Sequence, residues 1–127
     1  MSQSLKRYLK GLSWMLILLF LTGLGCGGED STPDTVGPVL SDISASPAIT
    51  TVTITWTTDE PTTGQVDLGL DQDYGSSETD SVLSNSHTIQ FSGLLSNTVY
   101  HYRITSTDNA GNIAISTDLT LTTLEKI

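Results

Sequence analysis

From residue 38 onward the chain is built of short runs in which apolar and polar residues alternate at a period of two, and no stretch there sustains a helical period. Val52, Ile54 and Trp56 alternate with threonines, Val66 and Leu68 with Gln65 and Asp67, and Ile89 and Phe91 with Thr88 and Gln90. Tyr100, Tyr102 and Ile104 alternate with His101, Arg103 and Thr105. In an extended chain this period sends one set of side chains inward and the other to solvent, whereas a helix would need apolar residues three or four apart. The abundant threonine suits a pleated surface because it is β-branched. Turn-forming groups separate the runs at Asp59-Glu60-Pro61, Tyr74-Gly75-Ser76, Asn85-Ser86, Ser96-Asn97 and Asp108 to Asn112. The spacing predicts an all-β fold, a small antiparallel sandwich of seven strands near 39–45, 50–58, 63–69, 77–83, 86–92, 98–107 and 112–123. The fourth has the weakest pattern. Pro47 is expected to break the first strand, at a sheet edge. Ile113, Ile115, Leu119 and Leu121 are expected to share the inward side of the last.

The first 37 residues have a different composition. Lys6, Arg7 and Lys10 precede the apolar run LSWMLILLFLTGL at 12–24, and Gly25, Cys26, Gly27 and Gly28 follow it. A basic start, a short apolar run and small residues describe a helical secretory signal peptide over residues 1–25. Thirteen helical residues span roughly 20 Å, short of a ~30 Å hydrocarbon core, so a permanent transmembrane helix is the weaker reading. Residues 27–37, GGEDSTPDTVG, lack the apolar content for a core and read as a flexible tether. The domain is expected at 38–124. All 14 acidic residues follow Cys26, while only Arg103 and Lys126 remain as cations, so processing leaves a net side-chain charge of −12. That field repels phosphate backbones and disfavours nucleic acid as a partner. A single cysteine excludes an internal disulfide, so the exported domain must hold together by packing.

The segment Leu21-Thr22-Gly23-Leu24-Gly25-Cys26 resembles the lipobox of bacterial lipoprotein precursors. Gly25 fits the small residue before the cysteine. The family's leucine three places before it is replaced by Gly23, with Leu24 one place later. The resemblance implies that Cys26 receives a diacylglyceryl thioether and becomes an acylated N-terminus. Each buried acyl CH₂ contributes ~0.8 kcal/mol, and more than one chain anchors stably. Gly27 after Cys26, rather than Asp, implies the outer membrane as the destination.

Two further stretches resemble the fibronectin type III family. Thr53-Ile54-Thr55-Trp56-Thr57-Thr58 looks like its second strand with the core tryptophan. Leu94-Leu95-Ser96-Asn97-Thr98-Val99-Tyr100-His101-Tyr102-Arg103-Ile104 looks like its sixth strand and the preceding corner, with Leu94, Thr98 and Tyr100 matching and Ser96 in place of the usual proline. The resemblance implies an immunoglobulin-like sandwich in which the Tyr100 hydroxyl bonds backbone a few residues upstream. Trp56, Leu94, Tyr100 and Tyr102 are then core residues.

Chemistry-bearing patterns are sparse. His87 and His101 have no partner at metal-ligand spacing. No G-x-S-x-G elbow and no phosphate-cradling loop occurs. Asp67, Asp71 and Asp73 in DLGLDQDYG are closely spaced oxygen donors, but the run lacks the EF-hand order and reads as a solvated acidic loop rather than a metal site. The chain is therefore expected to catalyse nothing and to need no cofactor. It is read as a lipid-anchored envelope protein presenting a binding or spacer module to an unidentified protein or polysaccharide. Alternatives are an envelope-assembly partner, or a relic or truncated accessory domain of a secreted hydrolase of the metallophosphatase or polysaccharide-degrading type. With the chain ending at Ile127, no catalytic module is expected to follow.

Overall fold

A computed structural model describes residues 32–127, together with the backbone of a two-residue antiparallel ladder, Arg7–Tyr8 against Gly11–Leu12. Arg7, Tyr8, Gly11 and Leu12 are thus extended, not helical as expected for the leader; its other residues, Cys26 among them, lie outside the described residues. Among the described residues no helix is long and apolar enough to cross a membrane.

The unit Asp34–Ile127 contains six strands. They are β1 Leu40–Pro47, β2 Thr51–Gly69, β3 Gly75–Ser92, β4 Val99–Asp108, β5 Ile113–Ile115 and β6 Leu119–Thr122. All pairings are antiparallel. The first half of β2 lies between β1 and the second half of β3. Its second half lies between the first half of β3 and β4, which in turn pairs with β5 and β6. The two long strands thus pass from one layer to the other and fold the sheet into a sandwich. Val52, Ile54, Trp56, Ile89 and Phe91 from one layer meet Val66, Leu68, Tyr102, Ile104 and Leu121 from the other in a single core.

Six strands replace the seven expected, for two reasons. The Asp59-Glu60-Pro61 signal does not reverse the chain. Thr58 and Thr62 on either side are both buried, so the inward period of two runs straight through. Pro61, which has no N–H to donate, falls in the gap where β2 exchanges ladder partners, between Thr57↔Ser86 and Thr62↔Ser84. Asn85-Ser86 is likewise inside β3, where the Asn85 side chain donates to the Thr58 carbonyl at 3.0 Å. Meanwhile the expected strand 112–123 is split. Ile104 N–H donates to Ser116 Oγ at 2.9 Å instead of to a carbonyl, and Ser116 N–H donates to Ile104 O. Between Thr105↔Ile115 and Tyr102↔Leu119 the register slips by one residue. A one-residue slip changes the face of everything that precedes it. Leu121 is therefore buried, whereas Ile113 and Ile115 stand 57% and 59% exposed, opposite the inward position expected of them. Pro47 closes β1, an edge strand, as its last residue.

The chain enters and leaves the domain at opposite ends. Asn112 Nδ2 donates to the Asp34 carbonyl, and Gly37 packs against the Ile113 carbonyl. Residues 34–37, expected as part of the tether, thus lie against the β4–β5 turn, and the segment between Cys26 and the domain shortens to 27–33. At the other end Leu124 N–H donates to Ala48 O, and Asn97 N–H to Leu124 O.

Candidate functional site

Three side-chain assemblies hold the candidate residues of the domain. The first is in the core. Trp56, Tyr100 and Tyr102 are buried, and Leu94 is half-buried against them. Burial pushes the Tyr102 hydroxyl above its ordinary pKa. Trp56 Nε1 donates to Ser106 Oγ at 2.9 Å, and its ring stacks on His87 with centroids 4.9 Å apart. Gly64 makes room for this pair, since a Cβ there would overlap Trp56 Cζ2. His87 Nδ1 lies 3.0 Å from Asp80 Oδ2, and Nε2 lies 2.9 Å from Thr62 Oγ1. The consistent proton arrangement has Thr62 donating to Nε2 and Nδ1–H donating to Asp80. The His87 hydrogen bond, reinforced by Val82 N–H, holds the Asp80 carboxyl below its usual value. In outline this is the carboxylate–imidazole–hydroxyl order of a nucleophilic relay. Thr62, however, is 0% exposed, so no substrate reaches its hydroxyl. The array serves to satisfy polar groups inside the sandwich.

At the corner before β4, the Tyr100 hydroxyl accepts the Leu95 N–H at 2.9 Å. The expected bond to upstream backbone is thus made with the hydroxyl as acceptor. Replacing Tyr100 with Phe should lower unfolding free energy by about 1–3 kcal/mol, because the Leu95 N–H loses its partner. An unchanged urea midpoint would show that this bond contributes nothing.

The second assembly covers the outer face of the β2–β4 layer. Asp67 accepts Arg103 Nη2 at 2.9 Å, Gln65 Nε2 at 2.8 Å and Ser77 Oγ at 2.9 Å. Burial works to raise its pKa, but these donors outweigh it and hold the carboxyl low. The Arg103 guanidinium lies over the Tyr74 ring, 4.9 Å from its centroid. Asp118 accepts His101 Nδ1 at 2.8 Å, the Tyr74 hydroxyl at 3.0 Å and Gln72 Nε2 at 3.2 Å. His101, placed on the outer face by its alternation, thus ties β4 to the segment before β6. Asp71 Oδ1 accepts Asp73 N–H within the β2–β3 turn. Asp67, Asp71 and Asp73 therefore do not converge: the first is committed to Arg103 and the second to its own turn.

The third assembly is one that spacing did not signal. Asp34, Glu60 and Asp108 each bring a carboxylate oxygen within 4.8 Å of the others, where the chain enters the domain. Among the described residues these are the carboxylates grouped closely enough to hold a cation, although calcium takes six to eight oxygens. Asp108 is already engaged. Its Oδ1 accepts Ala110 N–H at 2.7 Å and Asn112 N–H at 2.9 Å, and its Oδ2 accepts Asn112 Nδ2 at 2.8 Å. Burial opposes ionisation there, but the donors of the turn win and lower its pKa. The parity of His87 with Ile89 and Phe91 was a usable signal for its inward position. No sequence signal joins Asp34 to Glu60 and Asp108, which are 26 and 74 residues away along the chain.

No protein-family model matches the chain. It is 36% identical over 98 residues to Exoglucanase B of Cellulomonas fimi, an alignment that covers 75% of this chain and 9% of that protein. Among solved structures, the FN1–FN3 domains of chicken CNTN1 superpose with a TM-score of 0.54 at 19% identity, over 72% of this chain and 33% of that one. PhoD superposes with a TM-score of 0.51 at 17% identity, over 80% of this chain and 21% of that one. The crossing long strands, the Tyr100 corner and these superpositions agree: the described part of the chain is a domain of the fibronectin type III fold.

Proposed function

We propose that the protein is an exported lipoprotein, anchored through acylated Cys26, that presents its fibronectin type III domain at the cell envelope as a non-catalytic binding or spacer module. The observation that carries this reading is the polarity of the domain. The chain enters beside Asp108 and Asn112 and leaves beside Ala48 and Asn97, at the opposite end. A module so connected stands on its anchor and projects its far loops outward. Residues 27–33 reach at most about 25 Å when extended, at ~3.6 Å per residue, so the domain stays close to the bilayer. The −12 charge of the processed chain opposes adsorption onto anionic headgroups. The outer membrane is the proposed destination, and a protein or polysaccharide the proposed partner, met by loops on a rigid scaffold.

The deciding experiment is metabolic labelling with a radioactive fatty acid. The wild-type chain should take up label, and Cys26→Ser should lose it entirely and accumulate unprocessed. A wild-type chain that takes up no label would rule the anchor out.

The likeness to a segment of Exoglucanase B favours a second reading, an accessory domain of a secreted polysaccharide-degrading enzyme. This reading expects a catalytic module in the adjoining reading frame.

A further inference from the structure

We propose that the outer face of the layer formed by β1, the first half of β2 and the second half of β3 is a binding surface for a neutral, extended polysaccharide. The inference rests on the reading of the domain as a binding module, and it gives that module a face and a class of ligand. Alternation buries Val52, Ile54 and Trp56, so Thr51, Thr53, Thr55 and Thr57 stand on the opposite side of β2. Register then sets polar side chains on both flanks. Thr53 lies between Ser46 of β1 and Gln90 of β3, and Thr55 lies between Ser44 and Thr88. The four flanking residues are exposed and the two threonines half-buried. Positions along β2 repeat every two residues, about 6.8 Å, and neighbouring strands lie about 4.8 Å apart. Gln90 Nε2 donates to Thr53 Oγ1 at 3.3 Å. Among the described residues the side-chain hydroxyls of Ser44, Ser46, Thr55 and Thr88 bond to no protein partner. Their donors and acceptors are open to a ligand.

Charge selects the class of ligand. Roughly a quarter to a third of a soluble surface is ordinarily charged, and within 34–127 twelve acids accompany two cations. The rows through Thr53 and Thr55 nevertheless hold no charged side chain. The row at Thr57 ends the neutral area, because Thr57 Oγ1 donates to the Asp42 carboxylate at 3.0 Å. An anionic polymer is repelled by the acidic body, and a cationic one is drawn instead to the carboxylates of the tether end and of the opposite layer. A protein that docks by charge finds nothing on this face to complement. A neutral chain of sugars does match it. Each Ser or Thr hydroxyl can both donate and accept, as a sugar hydroxyl can, and stripping water from hydroxyls costs far less than stripping it from charges. The inter-strand spacing is close to the length of one pyranose in an extended chain. A chain laid across the strands therefore meets Ser44, Thr55 and Thr88 with successive sugars. Threonine is restricted at χ1, so its hydroxyl is directed before the ligand arrives and less ordering is needed on binding.

The test is co-sedimentation of the full chain with amorphous cellulose, insoluble mannan and chitin, in a polyoxyethylene detergent so that no sugar headgroup competes. Wild type should be retained by at least one of the three, and not by cross-linked polygalacturonate at the same salt. Thr53→Val with Thr55→Val and Thr88→Val keeps the β-branched shape and removes three hydroxyls. It should weaken retention by about tenfold or more, with far-UV circular dichroism and melting temperature unchanged. Thr88→Glu, at an exposed position, should also weaken retention through the charge it adds. Thr105→Val with Thr107→Val, on the outer face of the opposite layer, should leave retention as it is. Retention by none of the three polysaccharides overturns the proposal, and the lipid anchor is then still judged by fatty-acid labelling. Retention that survives the triple change, or falls equally in the Thr105/Thr107 control, overturns the face but keeps a binding module that works through its loops. Stronger retention by polygalacturonate overturns the neutral ligand. A protein captured by wild type and lost by the triple variant, with no polysaccharide retained, would assign the face to a protein instead.

Discussion

Trp56→Ala should destabilise the domain by about 3–5 kcal/mol, the range for truncating a large core aromatic. Three separate losses contribute. The indole is 1% exposed and fills the space between the two layers, so its removal leaves a cavity. The Ser106 hydroxyl, itself fully buried, loses the Nε1–H donor at 2.9 Å. His87 loses its stacking partner while still bonded to Asp80 and Thr62. Total stability of a small domain is typically about 5–15 kcal/mol, so the variant should be marginal. Trp56→Phe separates the contributions, because it retains much of the apolar ring and removes only the indole donor and some volume. Its cost should fall well below that of alanine. Urea unfolding followed by far-UV circular dichroism measures both. Equal midpoints for wild type and Trp56→Ala would mean that the two layers do not close over this side chain.

Trp56 also shows where reading the chain alone succeeds and where it stops. Its inward position follows from parity with Val52 and Ile54, because alternation is a local property. The Tyr100 corner is legible for the same reason, as its hydroxyl bonds backbone only five residues upstream. Ser106 and His87 as partners of Trp56 are not legible, for they depend on register between segments 50 and 31 residues away. The strand count fails on a related point. Pro and Asn-Ser signals mark places where a ladder is interrupted, but whether the chain reverses or merely changes neighbours is decided by what is buried on each side. At Asp59–Pro61 the buried Thr58 and Thr62 keep the strand going. At Ser116 a single hydroxyl displaces a carbonyl and turns Ile113 and Ile115 outward. The carboxylates of the candidate site divide in the same way: Asp71 serves its own turn, whereas Asp67, Asp80 and Asp118 find partners 36, 7 and 17 residues away.

Those partners should make the domain acid-labile. Asp67, Asp80, Asp108 and Asp118 are all held below the ordinary aspartate value in the folded state. For Asp118 the hydrogen bond from His101 is the main cause; burial opposes it, and the bonds from Tyr74 and Gln72 add to it so that the carboxyl stays low. A group whose folded pKa is depressed contributes stability that is complete above its unfolded value, near 3.9, and is lost as pH falls through the folded value. Below that window the unfolded chain binds more protons, so the melting temperature must drop. An opposite effect acts first. Within 34–127 twelve acids crowd two cations, and partial neutralisation of this charge relieves self-repulsion as the pH leaves neutrality. The two effects differ in range and so separate on a titration. Repulsion between exposed charges is screened by salt, whereas short charge-assisted hydrogen bonds to partly buried carboxylates are screened much less. The melting temperature should therefore stay level or rise slightly from about pH 7 to 5 in low salt and fall steeply below about pH 4. Added salt should flatten the first limb and leave the second. Asp80→Asn should shallow the acid limb, since the amide keeps a hydrogen-bonding group beside His87 but no longer titrates. A melting temperature that holds constant from about pH 5 to 2.5 would show that these four carboxylates make no net contribution to folding.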